Sequence, residues 1–248
     1  MAYFEFASRK LFYQCIGDGE PVIFLHGNTA SSKMFEFLLP LYTNHFKVIL
    51  IDFLGNGASE RVEHFPVDIW LWQAEQLINF IEFLDCGKVS LVGTSGGAYV
   101  AINAALQRPE LINKVVADSF SGRKMPDDFI ETLTAERTAA KANELSRQYY
   151  EWNQGPDWEK IVDMDTAALT QFVEQKHQLY SRPLQELTVP ILLIGSQQDE
   201  LLHGDFTQEY QALCKIIPNA EMYVFPSGGH PSILTNAEKT AELIIDFI

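Results

Sequence analysis

The chain has 248 residues, 47% of them hydrophobic and 21% charged, enough to bury a full core without disulfide or metal staples. Its net charge of −15 is scattered rather than gathered in a tail; it serves solubility first, and it repels phosphate backbones and anionic lipid surfaces. Nucleic acid and membranes are therefore not expected partners, and a small molecule, neutral or cationic, is.

Cys15, Cys86 and Cys214 are odd in number and far apart, which fits a reduced compartment and no disulfide framework. The start Met1-Ala2-Tyr3-Phe4-Glu5 has neither the basic nor the apolar region of a signal peptide. No apolar run approaches the roughly eighteen residues of a spanning helix. A cytoplasmic address is the expectation.

In chain order, Tyr3–Ala7 and Lys10–Ile16 are expected to form an antiparallel pair closing on the Gly17-Asp18-Gly19 turn. Val22–Leu25 is a continuous apolar run, as in a strand buried on both faces. Ser31-Ser32 then caps a helix whose Met34, Phe35, Leu38, Leu39 and Leu41 recur at helical spacing. Val48–Ile51, Val89–Val92, Lys114–Ala117, Ile191–Ile194 and Met222–Phe225 are further strands. Helices are expected over Ile69–Leu84, Gly96–Gln107, Asp205–Ile216 and Ala237–Ile248. Strands alternating with helices indicate an α/β fold with a mostly parallel sheet and helices on both faces. Residues 122–182 break the alternation with amphipathic helical segments, and an insertion there must sit over one end of the sheet. This divides the chain into a core, 1–121 and 183–248, and a helical cap, 122–182, inserted after the sixth strand.

The strongest chemical signal is Gly93-Thr94-Ser95-Gly96-Gly97, between a buried strand and a helix. A serine on such a sharp turn is lifted above the sheet, and small neighbours let strand and helix pass closely. A hydroxyl is a poor nucleophile without a base. In open α/β sheets ligands bind beyond the carboxyl ends of strands, so the partners are sought after later strands. Asp199 follows Ile191–Ile194, and His230 follows Met222–Phe225.

Ser95, His230 and Asp199 thus form the expected catalytic set. Asp118 is a rival for the acid because it too follows a strand, and Glu200 is a weaker one. His45, His64, His177 and His203 lack a preceding strand and read as surface residues, whereas His26 reads as structural. The amides of Gly96 and Asn28 are the expected oxyanion donors. The Gly-rich turn Asp52–Ser59 matches neither dinucleotide nor phosphate-loop spacing and is assigned to supporting the site. No His-x-x-x-His or paired Cys/His spacing calls for a metal, and no cofactor is expected. Tyr149, Tyr150, Trp152, Trp158, Phe172 and Tyr180 are the aromatic residues expected to shape a substrate site, each set against simple burial of the cap.

Together, His26-Gly27, the Asp52–Ser59 turn, Gly93–Gly97, Asp199 and His230 resemble the α/β-hydrolase superfamily over essentially the whole chain. The resemblance implies an eight-stranded sheet with a helical cap and hydrolysis through an acyl-enzyme. The stretch from Gln148-Tyr149-Tyr150-Glu151-Trp152 to Trp158-Glu159 looks like biphenyl-hydrolase-like enzymes, the group of valacyclovir hydrolase. Those enzymes are thought to hold a substrate amine with an aspartate after the nucleophile; here Gly96 stands there, so that specificity is not carried over. The leading expectation is cleavage of a small carboxylic ester. The same residues also serve a lactone, thioester, amide or carbon–carbon bond, or a ligand-binding protein without turnover.

Overall fold

A computed structural model of the chain describes residues 2–202 and 205–248. Its eight strands are β1 (Ala2–Phe6), β2 (Arg9–Ile16), β3 (Glu20–Leu25), β4 (Phe46–Ile51), β5 (Val89–Thr94), β6 (Ile112–Asp118), β7 (Ile191–Ser196) and β8 (Ala220–Phe225). They form one sheet in the order β1-β2-β4-β3-β5-β6-β7-β8. The pairs β1–β2 and β2–β4 are antiparallel and all others parallel.

The alternation of side chains along each strand splits the core in two. Ile23, Leu25, Ile49, Ile51, Leu91 and Leu193 belong to one core, which also holds α2 (Ile69–Leu84), α3 (Gly96–Gln107) and the buried side chains of α7 (Phe206–Ile216). Val22, Phe24, Val48, Leu50, Val92 and Ile194 belong to the other. That core includes the 3-10 helix Ser32–Leu38, the short α1 (Leu39–Tyr42) and α9 (Ala237–Phe247). The helix expected after Ser31 is therefore a 3-10 turn running into a short α-helix, and Ser31 caps it through Lys33 N.

The first hairpin differs from expectation. It closes at Ala7-Ser8, with φ of 49° and 63°, between the paired Phe6 and Arg9; Gly17–Gly19 links β2 to β3 instead. Two successive positive φ values match the twist of a tight hairpin but are usually supplied by Asn or Gly. That is why the Ala-Ser pair carries no turn signature.

Three α-helices lie between β6 and β7: α4 (Phe129–Ala142), α5 (Glu144–Gln154) and α6 (Trp158–Glu174). Tyr150, Trp158 and Val162 form a small cluster of their own among them. Leu133 of α4 and Ile161, Leu169 and Phe172 of α6 join the larger core below. A short α8 (Ser232–Thr235) follows β8. Parallel register places Leu25 beside Gly93, Thr94 beside Asp118, Asp118 beside Ile194, and Ser196 beside Phe225. The carboxyl ends of β3, β5, β6, β7 and β8 therefore meet at one edge, where the loops they feed converge. No helix among the described residues is long and apolar enough to cross a membrane.

Candidate active site

Ser95 sits between β5 and α3 at φ 54°, ψ −122°, a region that costs a non-glycine residue about 1–3 kcal/mol. The turn survives because its surroundings hold it. Ser95 N donates to Asp118 O at 2.8 Å and Ser95 O accepts from Ala98 N at 3.0 Å. A Cβ on Gly93 would strike the Gly97 backbone, and one on Gly97 would strike the backbone of Leu25 and His26. The glycines are thus required by the close passage of α3 over β5 and β3.

Asp199 and His230 come from the loops after β7 and β8. His230 Nδ1 lies 3.1 Å and 3.0 Å from the two Asp199 carboxylate oxygens, and the Asp199 side chain is fully buried. Leu201 N donates to Asp199 Oδ1 at 3.0 Å, which fixes the carboxylate. Burial disfavours the imidazolium, but the Asp199 hydrogen bond and the negative charges of Asp199, Asp118 and Glu200 outweigh it, so the His230 pKa lies above its ordinary value. His230 and Ser95 line one cavity.

Asp118 makes no hydrogen bond to His230 among the described residues. Its carboxylate accepts from Thr94 Oγ1 at 2.7 Å, Ser119 Oγ at 3.2 Å and Ile233 N at 3.2 Å. Burial pushes its pKa up to about 6 despite these bonds. It ties β6 to α8, next to His230. Glu200 acts on the main chain, where its carboxylate accepts from His230 N at 3.1 Å.

The loop after β3 passes directly under Ser95. A Cβ on Gly27 would lie 3.0 Å from Ser95 Cβ and 3.5 Å from its Oγ, so the next amide, that of Asn28, comes close beside Ser95. Gly96 is the first residue of α3, and its amide has no intrahelical acceptor. Neither amide donates to another protein group among the described residues. Both are available to a developing negative charge, with the α3 N-terminus adding its partial positive charge. A Cβ at position 96 would also collide with Asn28 Oδ1 and Trp70 Nε1. The Asn28 side chain thus occupies the space that an aspartate after Ser95 would need.

His26 is structural here. Its Nδ1 lies 2.9 Å from Gly27 O, and its Nε2 accepts from Phe53 N at 3.2 Å. Those partners assign the proton to Nδ1, and burial holds the pKa below its ordinary value. Asp52 supports the Gly-rich turn by accepting from Ser32 N at 2.7 Å and Ala58 N at 2.8 Å. His45, His64 and His177 are exposed, and His203 lies outside the described residues. Among the described residues no group of three or more His, Cys, Asp or Glu is placed to hold a metal ion.

Two cavities meet at Ser95. The outer one, about 440 Å³, is lined by Gly27, Ser95, His230, Leu145, Tyr149 and Tyr150 among others. The inner one, about 100 Å³, is lined chiefly by Trp70, Tyr99, Phe120, Phe129, Leu133 and Leu169 around Ser95 and Gly96. Of the six aromatics expected to shape the site, Tyr149 and Tyr150 reach these cavities and four do not. Trp152 packs on Phe37 at 5.7 Å. Trp158 stacks on Tyr150 at 5.6 Å behind the wall. Phe172 sits edge-on to Trp70 at 5.1 Å and, with Tyr180, lines a separate cavity. Tyr180 donates to Gly122 O at 2.6 Å. An aromatic-rich cap sequence does not tell which helix face meets the sheet, and most of these rings bury the cap.

Sequence reading missed Trp70 and Tyr99, which project from core helices, and the buried Arg137–Asp165 pair. Arg137 Nη2 lies 3.4 Å from Asp165 Oδ1, with side-chain exposures of 11% and 3%. Burial pushes the Asp165 pKa up, while Arg137 and the Asn28 amide pull it back. One signal was present: Asp165 interrupts the apolar stripe Ile161, Val162, Ala168, Leu169 and Phe172 at helical spacing, the pattern of a buried charge.

The matching family model, described as "Alpha/beta hydrolase family", spans residues 22–243. The AB hydrolase superfamily protein YisY of Bacillus subtilis is 27% identical, covering 96% of this chain and 94% of its own. The serine hydrolase BPHL of Mus musculus is 26% identical, covering 96% and 82%. Among solved structures, the 2-hydroxy-6-oxo-6-phenylhexa-2,4-dienoate hydrolase of Rhodococcus superposes with a TM-score of 0.80 at 21% identity, covering 98% of this chain and 96% of its own. With its elbow serine, its open eight-stranded sheet and a family match over most of its length, the chain belongs to the α/β-hydrolase family.

Proposed function

We infer that this chain hydrolyses small, neutral carboxylic esters through an acyl-enzyme on Ser95. The carrying observation is His230, held through Nδ1 by a buried Asp199 at 3.0–3.1 Å and facing the cavity it shares with Ser95. A histidine anchored through Nδ1 has Nε2 left to take the Ser95 proton and later return it to the leaving group. The amides of Gly96 and Asn28 hold the oxyanion of the tetrahedral intermediate. Water then releases the acid with His230 as base.

The two cavities divide the substrate. His230 lines only the outer one, so the alcohol that it must protonate leaves that way, and the acyl chain occupies the inner cavity beyond Gly96. An apolar cavity of about 150 Å³ holds benzene, so about 100 Å³ suits a short aliphatic acyl group. The Rhodococcus enzyme acts on a dienoate, which is an acid. Here Arg137, the one cation lining the inner cavity among the described residues, is spent on Asp165, and Glu136 lines the same wall. That supports a neutral acyl group.

A panel of p-nitrophenyl esters from acetate to octanoate, with a lactone, a thioester and a diketone acid assayed on the same preparation, tests this reading. Acetate to butyrate are expected to lead in kcat/KM. Turnover of the diketone acid above every ester would replace the reading with carbon–carbon cleavage. Leu133→Ala, which removes part of the inner wall, is expected to raise the hexanoate-to-acetate ratio of kcat/KM by about 10-fold or more, the scale of a methylene misfit. An unchanged ratio would place the acyl chain elsewhere.

A further inference from the structure

The loop that supplies the Asn28 amide is bonded to the cap, residue after residue. Asn28 Nδ2 donates to Asp165 Oδ2 of α6 at 2.5 Å, and Thr29 Oγ1 accepts from Arg137 Nη1 of α4 at 2.8 Å. Gln154 of α5 donates to Ala30 O at 2.8 Å, and Asn153 Oδ1 accepts from Ser31 N at 2.9 Å and Oγ at 3.0 Å. Lys33 Nζ donates to the Trp152 carbonyl at 2.6 Å. All three cap helices take part.

Asn28 is gripped from both sides, since its Oδ1 also accepts from Trp70 Nε1 of α2 at 3.0 Å. Thr29 needs holding, because its φ of 57° is disfavoured for a β-branched residue. Arg137 also donates to Tyr150 Oη at 2.9 Å, so the pair is braced within the cap. A buried ion pair is weak evidence for stability and stronger evidence for a geometry being specified. Here the pair's hydrogen bonds reach the side chains of residues 28 and 29.

We propose that the buried Asp165–Arg137 pair of the cap is a positioning element of the oxyanion hole, setting the Asn28 amide beside Ser95 through the Asn28 and Thr29 side chains. The inference rests on the reading of Asn28 as an oxyanion donor. Neither Asp165 nor Arg137 takes part in the proton transfers; both act through the loop. The cap thereby contributes to transition-state binding at its β3 edge as well as walling the pocket. Loss of a whole oxyanion donor costs about 10²–10³-fold in kcat, so a displaced one should cost about 10–100-fold.

The test uses the full chain with p-nitrophenyl acetate, following kcat, KM, the Ki of a short alkylboronic acid as oxyanion mimic, and the melting temperature. Asn28→Ala and the apolar double variant Arg137→Leu/Asp165→Leu, which leaves no buried charge unpaired, should each lower kcat by about 10–100-fold. KM should stay within about 3-fold, and the boronate Ki should rise in step with the kcat loss. Arg137→Gln/Asp165→Asn, which keeps an acceptor for Asn28 and a donor for Thr29, should recover most of the loss. Combining Asn28→Ala with Arg137→Leu/Asp165→Leu should cost less than the product of the two separate losses, because both cut the Asn28–Asp165 tether.

Full kcat in Asn28→Ala overturns the proposal, and so does additive loss in the combined variant or a loss confined to KM. Asn28→Ala removes no buried charge, so it remains decisive even if the apolar pair does not fold. Ser95→Ala assayed in parallel separates the two levels. An active Ser95→Ala sinks the serine reading itself, whereas an inactive one beside a fully active Asn28→Ala sinks only the role of the cap.

Discussion

Ser95→Ala is expected to lower kcat for p-nitrophenyl acetate by at least about 10³-fold while leaving the melting temperature within a few degrees of the parent. The loss follows from the chemistry, since without Oγ no acyl-enzyme forms and only the oxyanion donors and the pocket remain to assist water. The small effect on stability follows from the site. Ser95 makes its hydrogen bonds within the fold through its backbone, to Asp118 O and from Ala98 N, and alanine keeps both. Stopped-flow release of p-nitrophenol should show a burst in the parent and none in the variant. Retained steady-state turnover in Ser95→Ala would show that another group attacks the carbonyl.

The second large effect is expected at the acid. Asp199→Asn should lower kcat/KM by about 10³–10⁴-fold, because an amide can turn its NH₂ toward His230 Nδ1 and favour the wrong tautomer. The pH profile should move as well. His230 must be neutral to act as base, and its pKa is held above the ordinary 6.5 by Asp199, Asp118 and Glu200 against burial. The acid limb of kcat/KM in the parent should therefore fall above pH 6.5. Removing the Asp199 charge removes the strongest of the influences that raise this pKa, so the residual activity of Asp199→Asn should show a limb displaced to lower pH. Asp118→Asn is the matched control. It changes a carboxylate that reaches Thr94, Ser119 and Ile233 rather than the imidazole ring, so its kcat/KM should fall far less. Equal losses in the two variants would make the assignment of the acid wrong.

That the sequence brings Ser95, Asp199 and His230 to one place, and does not reveal the pocket, has a physical reason. Ser95, Asp199 and His230 each stand just beyond a strand. Parallel strands bring their carboxyl ends to one edge whatever the details of packing, so strand recognition alone places them together. The α2 and α3 spans read from periodicity, Ile69–Leu84 and Gly96–Gln107, are the spans observed, because both helices lie against the sheet and carry its apolar pattern. The pocket depends instead on how the cap helices are rotated and seated. Trp152 and Trp158 look like pocket residues by composition, yet one packs on Phe37 and the other stacks behind Tyr150. Trp70 and Tyr99 look like ordinary core residues of core helices, yet they line the cavity at Ser95. The bond between Asn28 and Asp165 spans 137 residues and follows from tertiary packing alone.

The most direct measurement is covalent labelling with a fluorophosphonate, followed by mass mapping of the adduct. One adduct per chain on Ser95, formed in the parent and lost in His230→Ala, is the predicted result. An adduct on any other residue, or equally rapid labelling of Ser95 without His230, would contradict a serine activated by that histidine.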